Sequence, residues 1–150
     1  MSQSLASALI HIIFSTKNRE PLIDREIERE LYAYMGGIFR DLKSPMLAGN
    51  GTEDHAHVLF SLARTVSIAD LVEEVKKSSS KWVKTKGSNL QGFQWQAGYG
   101  AFSVSQSGVD AVRAYIARQK EHHRNRSFQD EFRLFLQRHG IAYDERYVWD

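Results

Sequence analysis

The chain contains no cysteine and only two prolines in 150 residues. The lack of cysteine excludes disulfides, zinc-thiolate sites and cysteine nucleophiles, and it gives no support to an oxidising compartment. No apolar run approaches the roughly 20 residues that a membrane helix needs, and the N-terminus has no basic segment followed by an apolar run, as a signal peptide would. We therefore expect a cytoplasmic protein that does not bind membranes.

The overall composition is that of an ordinary globular protein, with 42% hydrophobic and 25% charged residues. A chain of this length predicts a single domain over residues 1–150 that can bury a core without staples. The net charge of +2 is too small to indicate nucleic-acid binding by itself. The distribution of the basic residues is therefore more informative than their sum.

Hydrophobic patterning predicts four strands and four helices. We place strands at 9–14, 46–50, 55–62 and 99–105, and helices at 24–42, 67–84, 108–122 and from 127 to the His139-Gly140 pair. The segment 93–97 fits neither pattern clearly, and the aromatic tail 141–150 is expected to pack on the domain. The order β-α-β-β-α-β-α-α predicts an α+β fold of the ferredoxin-like, split β-α-β type, with an antiparallel sheet, helices on one face and extra C-terminal helices.

Two histidines stand at the start of the third predicted strand, in the sequence Asp54-His55-Ala56-His57. Side chains on a strand alternate between its faces, so both imidazoles point the same way and form a platform for a metal ion. An isolated His-x-His is more often a surface pair than a metal site. Asp54 either shapes the turn or orients a histidine from behind, and Glu53 has the same two options.

A tyrosine and a glutamine lie four residues apart in the helix predicted at 108–122. Residues at this spacing share a helix face, so the phenol of Tyr115 lies beside the amide of Gln119. Together with His55 and His57 they are the parts of a metal-assisted site in which tyrosine attacks a phosphodiester. The bland alternatives are a core tyrosine and a solvated glutamine. His11 is expected to be a core histidine rather than a ligand.

Basic side chains cluster around two of these segments. We expect contacts with DNA from the turn after the first strand, from the helix at 67–84 and from the tyrosine helix, namely from Lys17, Arg19, Lys76, Lys77, Lys81, Lys84, Arg118 and His122. The alternative for the lysines is a solvated helix face, and for His122 a cap at the helix C-terminus.

These motifs resemble those of the single-tyrosine HUH transposases, which move small bacterial insertion sequences as single-stranded DNA, and of their relatives associated with repetitive extragenic palindromes. The resemblance covers roughly residues 9–140. It rests on His55-Ala56-His57 after Asn50-Gly-Thr-Glu-Asp54, on Tyr115-Ile-Ala-Arg-Gln119, on the opening strand and basic turn 11–19, and on the last strand 95–104.

The resemblance implies a ferredoxin-like fold and a divalent ion, Mg²⁺ or Mn²⁺, held by His55, His57 and Gln119. It also implies a covalent 5′-phosphotyrosine on Tyr115, a single-stranded substrate with hairpin-containing ends, and no nucleotide cofactor. A homodimer is implied as well, in which the tyrosine of one subunit can serve the histidines of the other. No carboxylate ligand is required, and none is obvious in the sequence.

Two other functions stay open at this point. The same sheet plan serves non-catalytic RNA-binding modules, which stack bases on exposed sheet aromatics. A small metal-dependent hydrolase would use water on the ion held by His55 and His57, with Tyr115 as a spectator.

Overall fold

The computed structural model describes residues 2–150 and contains a four-stranded antiparallel sheet. Its strands are β1 (Leu9–Ser15), β2 (Met46–Gly51), β3 (His55–Ser61) and β4 (Gly100–Val104). They lie in the order β2-β3-β1-β4, so β1 and β3 are central. This arrangement confirms the predicted α+β fold with a ferredoxin-like sheet.

Two long helices cover one face of the sheet, α1 (Arg25–Asp41) and α2 (Ile68–Lys84). Each begins at a side-chain cap, because Asp24 accepts from the backbone N–H of Ile27 at 3.1 Å and Ser67 accepts from that of Asp70 at 3.0 Å. The buried residues of the two helices and of this sheet face form the main core. Its largest fully buried members are Phe14, Phe39, Phe60, Phe93, Ile12, Leu31, Met35 and Leu71.

Three C-terminal helices follow the sheet: α3 (Val109–Ala117), α4 (Gln119–His122) and α5 (Phe128–Arg138). Helix α5 packs on the second face, where its apolar side chains contact Ile13 and Phe102. A Cβ atom on Gly100 would lie 2.4 Å from the Phe132 ring, so the glycine permits the close approach of α5. Both faces of the sheet are therefore covered. The predicted layer of helices on one face consists of α1 and α2, and α5 covers the other face.

The helix predicted as continuous over 108–122 is interrupted in its middle. Arg118 leaves helical geometry, with φ of −103° and ψ of 22°, and separates α3 from α4. The local sequence Ala117-Arg118-Gln119-Lys120 consists of good helix formers, so the interruption has a tertiary cause. The amide of Asn50 donates to the carbonyl oxygen of Ile116 at 3.0 Å and so replaces a helical partner.

Two other regions were open or only loosely predicted from the sequence. The segment 93–97 forms no strand and makes a single bridge, between Thr16 and Trp95. The C-terminal tail packs beside α5, as expected: Trp149 lies against the α5 cluster, and the carbonyl oxygen of Asp150 accepts from Gly98 N at 2.8 Å. Within residues 2–150, no helix combines the length and the apolar character that a membrane span requires.

Candidate active site

The two histidines of β3 lie on the sheet face that α5 covers. Ala56 and Val58 alternate with them into the main core, and both imidazoles are fully buried, with ring centroids 5.2 Å apart. The two side chains therefore point the same way, as strand alternation predicts. Their surroundings give the two rings opposite protonation behaviour.

His55 is held from behind by the turn that precedes it. Its Nδ1 lies 2.6 Å from a carboxylate oxygen of Asp54 and 2.9 Å from the hydroxyl of Thr52. Burial alone would lower the pKa of His55, but the carboxylates of Asp54 and Glu131 raise it to about 9. The bond to Asp54 keeps a proton on Nδ1 and turns Nε2 toward the interior of the site, where Gln119 Oε1 lies 3.2 Å away.

His57 is held by a second histidine. Its Nδ1 lies 2.8 Å from Nε2 of His11, which is itself buried as the sequence led us to expect. Burial lowers the pKa of His57 to about 4 and that of His11 to about 3. Both rings are therefore neutral at pH 7, and the contact between them fixes the orientation of His57.

A carboxylate from α5 lies in the middle of this cluster. Oε1 of Glu131 lies 2.9 Å from Nε2 of His57, 3.5 Å from Nε2 of His55 and 3.1 Å from Nε2 of His123. Its other oxygen, Oε2, accepts hydrogen bonds from the phenol of Tyr115 and, at 3.2 Å, from the amide of Gln119. One oxygen of Glu131 thus faces the histidines and the other faces the tyrosine.

Glu131 supplies a carboxylate that was not obvious in the sequence. Its side chain is fully buried. Burial alone would raise the pKa of Glu131, but the imidazole nitrogens of His123, His55 and His57 outweigh this effect and hold the pKa far below its usual range. Glu131 is therefore an anion at neutral pH.

Four side chains offer ligand atoms that converge on one point. The ligand atoms of His55, His57, His123 and Glu131 all lie within 4.8 Å of one another. His123 Nε2 is buried and has no hydrogen-bond partner, because its approach to Glu131 lacks the geometry of a hydrogen bond. A buried imidazole nitrogen without a partner costs free energy unless it gains a ligand. The set of three imidazoles, a carboxylate and the nearby amide oxygen of Gln119 fits a divalent metal ion.

Tyr115 lies at the edge of the same cluster and in the same chain. Its side chain is half-buried, its ring centroid is 6.0 Å from that of His57, and the ring of His122 stacks on it at 4.4 Å. Burial and the neighbouring carboxylate of Glu131 raise the pKa of Tyr115 above its ordinary value. The phenol therefore keeps its proton, which forms the hydrogen bond to Glu131.

The residues predicted to contact DNA lie in three places. Lys77, Lys81 and Lys84 are on α2, across the sheet from the histidines, whereas Arg118 is exposed between α3 and α4. Lys17 and Arg19 belong to the turn after β1, and the guanidinium of Arg19 lies 5.9 Å from the centre of the Trp149 ring.

Lys76 differs from the other lysines because its ammonium group is used inside the protein. Its Nζ donates to the carbonyl oxygens of Gln96 at 2.8 Å and Gly98 at 2.5 Å. Burial also lowers the pKa of Lys76 to about 8. The Lys76 ammonium group is therefore already occupied within the protein and is a poor candidate for a DNA contact.

A comparison with protein families gives a match to the family described as "Transposase IS200 like" over residues 4–119. The chain belongs to the IS200-like transposase family. The prediction that it is a DNA transposase is thereby confirmed. Among curated proteins, none matches this transposase.

Two solved structures share the fold of this transposase. One, described as a transposase from Deinococcus radiodurans R1, is 21% identical in sequence, with a TM-score of 0.62 over 79% of this chain and 98% of its own. The other is a REP-associated tyrosine transposase bound to a REP hairpin, which is 16% identical, with a TM-score of 0.61 over 82% of this chain and 74% of its own.

Replacing Glu131 tests whether the fourth side chain of the cluster is a ligand. Glu131→Gln preserves size but removes the negative charge, so we expect Mn²⁺ affinity, measured by isothermal titration calorimetry, to fall about 10- to 100-fold. Asp130→Asn is the matched control, because Asp130 is the exposed neighbour on the same helix. Equal Mn²⁺ affinities of Glu131→Gln and the unaltered protein would remove Glu131 from the ligand set.

Proposed function

We propose that this transposase cleaves and rejoins single-stranded DNA through a covalent 5′-phosphotyrosine on Tyr115. The observation that carries the proposal is the hydrogen bond from the phenol of Tyr115 to Glu131, whose other oxygen contacts His55 and His57. A nucleophile and a set of metal ligands thus share one carboxylate. Both parts come from one chain.

We propose that Mg²⁺ or Mn²⁺ is held by His55, His57 and Gln119, with Glu131 and His123 completing the set. Oxygen ligands suit Mg²⁺ and Mn²⁺, and the three imidazoles favour Mn²⁺ of the two. When bound, the ion supplies positive charge that orients the scissile phosphate and offsets the charge developed in the transition state. Asp54 and His11 hold the two β3 histidines in the required orientation.

In the proposed reaction, the phenolic oxygen of Tyr115 attacks the phosphorus and forms the new P–O bond as the bond to the 3′-oxygen breaks. The hydrogen bond to Oε2 of Glu131 holds the phenol in place, and the phenolic proton is released to water as the P–O bond forms. The 3′-oxygen takes up a proton and leaves as a hydroxyl. Because one phosphate ester replaces another, rejoining to a second strand needs no nucleotide cofactor.

For the nucleic acid we propose a single strand with hairpin-containing ends. Arg118 and His122 are adjacent to Tyr115 and can contact phosphates of the cleaved strand. Lys77, Lys81 and Lys84, on the helix across the sheet, and Lys17 and Arg19, in the turn after β1, are proposed to contact the flanking hairpin. We also propose a cytoplasmic location. The homodimer stays a prediction, which sedimentation analysis would test.

A non-catalytic RNA-binding module gains no support from the sheet. Such modules leave one sheet face open for stacked bases, whereas here α1 and α2 bury Phe14 and Phe60, and α5 buries Phe102. The aromatics that would stack on bases are therefore inside the protein.

End-labelled hairpin DNA tests the proposed function. The protein is incubated with Mn²⁺ or Mg²⁺ and a single strand labelled at one end. A 3′ label is expected to move onto the protein as a covalent adduct, and a 5′ label to appear on a shorter strand with a free 3′-hydroxyl. Chelation of the metal with EDTA should abolish both products. Transfer of the 5′ label to the protein, or adduct formation in EDTA, would contradict the mechanism.

A further inference from the structure

We infer that Asn50 is a positioning residue, which holds the interruption in the tyrosine helix and thereby aims Tyr115 and Gln119 at the β3 histidines. The inference rests on the proposed role of Tyr115 as the nucleophile. It concerns a side chain outside the metal cluster, whose hydrogen bonds go to the backbone of the tyrosine helix and to Lys120.

The interruption leaves two backbone carbonyl groups without their helical donors, and the amide of Asn50 donates to both. Helical hydrogen bonding lapses where Arg118 departs from helical geometry, and the carbonyl oxygens of Ile116 and Ala117 face β2. The Asn50 amide nitrogen lies 3.0 Å from the first and 3.4 Å from the second. Its amide oxygen lies 3.4 Å from Nζ of Lys120, so contacts on both sides of the interruption converge on one side chain.

The interruption changes what the tyrosine helix presents to the site. In a straight helix Tyr115 and His122 are separated by about 10 Å along the axis, at about 1.5 Å per residue. Here their rings stack, with centroids 4.4 Å apart and an angle of 22° between the planes. Gln119, the first residue of α4, is fully buried against His55. The interruption therefore lets three side chains, before and after it, meet at one place.

Asn50 can act in this way because β2 is fixed directly beside the metal cluster. Asn50 of β2 is directly opposite His57 of β3, so the two side chains share a sheet face. The next residue is Gly51, where a Cβ atom would lie 2.1 Å from the carbonyl oxygen of His55. This close backbone contact leaves Asn50 little freedom to shift relative to the histidines.

Asn50→Asp tests the inference because it keeps the shape of the side chain and removes both donors. Single-turnover adduct formation is expected to fall at least tenfold, whereas the Kd for the same single strand stays within twofold. Asn89→Asp, at an exposed asparagine remote from the site, is the matched control and should change neither quantity. A merely structural Asn50 would lower stability without separating rate from affinity.

A second measurement does not depend on activity. The stacked His122 ring should give the ring protons of Tyr115 a ring-current shift in the NMR spectrum, assigned with Tyr115→Phe. We expect Asn50→Asp to lose this shift and Asn89→Asp to retain it. If the unaltered protein forms no adduct, the proposed function fails while the NMR result still decides the role of Asn50.

An unaltered rate together with an unaltered Tyr115 shift in Asn50→Asp would overturn the inference. Should Asn50→Asp fail to fold, Asn50→Ser replaces it, since a hydroxyl can donate to only one of the two carbonyls. A partial loss of both rate and ring-current shift is expected for Asn50→Ser, and full retention of both would again overturn the inference.

Discussion

Tyr115→Phe is expected to form no covalent protein–DNA adduct, a loss of at least about a thousandfold in rate. The substitution removes the only atom that attacks phosphorus in the proposed reaction. It leaves the ring, its stacking on His122 and the hydrogen bond from Gln119 to Glu131 in place. Mn²⁺ affinity should therefore change by less than threefold, and the adduct is measured by denaturing electrophoresis with 3′-labelled DNA.

The matched control is Tyr147→Phe, which removes the same hydroxyl from an exposed tyrosine in the tail. This variant should form adduct at the rate of the unaltered protein. Cleavage that persists in Tyr115→Phe without an adduct would support the small metal-dependent hydrolase instead. An adduct that persists in Tyr115→Phe would move the nucleophile to another residue.

The metal-free protein is expected to lose about 3 kcal/mol of unfolding free energy between pH 7 and pH 5. His11 and His57 have pKa values lowered to about 3 and 4, so the folded state resists protonation that the unfolded chain accepts near pH 6.5. Their contribution is present above pH 6.5 and is lost as the pH falls, at about 1.4 kcal/mol per pH unit for each group. His55 offsets a small part of this loss, because its folded state already carries the proton that the unfolded chain binds only near pH 6.5.

On the alkaline side, His55 and Lys76 act in opposite directions. The pKa of His55 is raised to about 9, so its contribution is full below pH 6.5 and is lost as the pH rises through 9. The loss from His55 between pH 7 and pH 9.5 is expected to be about 2 kcal/mol. The pKa of Lys76 is lowered to about 8, so its destabilising contribution disappears over the same range and offsets this loss. The unfolding free energy of the metal-free protein is therefore expected to fall below pH 7 and to change little between pH 7 and pH 9.5.

Urea unfolding in the presence of a chelator, repeated from pH 5 to pH 9.5, measures the unfolding free energy on both sides of neutral pH. His11→Gln keeps a hydrogen-bonding side chain beside His57 but cannot titrate, so it should lose about a third as much free energy on acidification. Between pH 7 and pH 9.5 the unfolding free energy should change by the same amount in both proteins. A pH-independent unfolding free energy between pH 7 and pH 5 would contradict the neutral state of the two buried histidines.

Local patterns in the sequence predicted one part of the site well. His55 and His57 are two residues apart on a strand, and strand alternation alone places them on one face. Tyr115 and Gln119 are four residues apart, and helical spacing brings them near each other even though Arg118 interrupts the helix. Each pair depends on geometry within a short segment, which is why the sequence contains enough information.

The rest of the site depends on long-range packing, which short segments do not encode. Glu131 stands in the first turn of a capped helix, where an acidic residue is ordinary, and nothing in that turn marks it as buried. Its position over His57 requires α5 to dock across 74 residues of chain separation. His123 and the role of Asn50 similarly depend on the interruption at Arg118, within a segment of good helix formers.

The glycine of β4 under α5 has a consequence for how finely this centre can be adjusted. A side chain at Gly100 would collide with the Phe132 ring. The absence of a side chain at this position therefore sets the distance between α5 and the sheet. Glu131 precedes Phe132 in that helix and descends with it toward the imidazoles. The reach of the carboxylate is thus governed from a strand that contributes no group to the chemistry, so a single methyl group added there would change the centre without replacing any of its members.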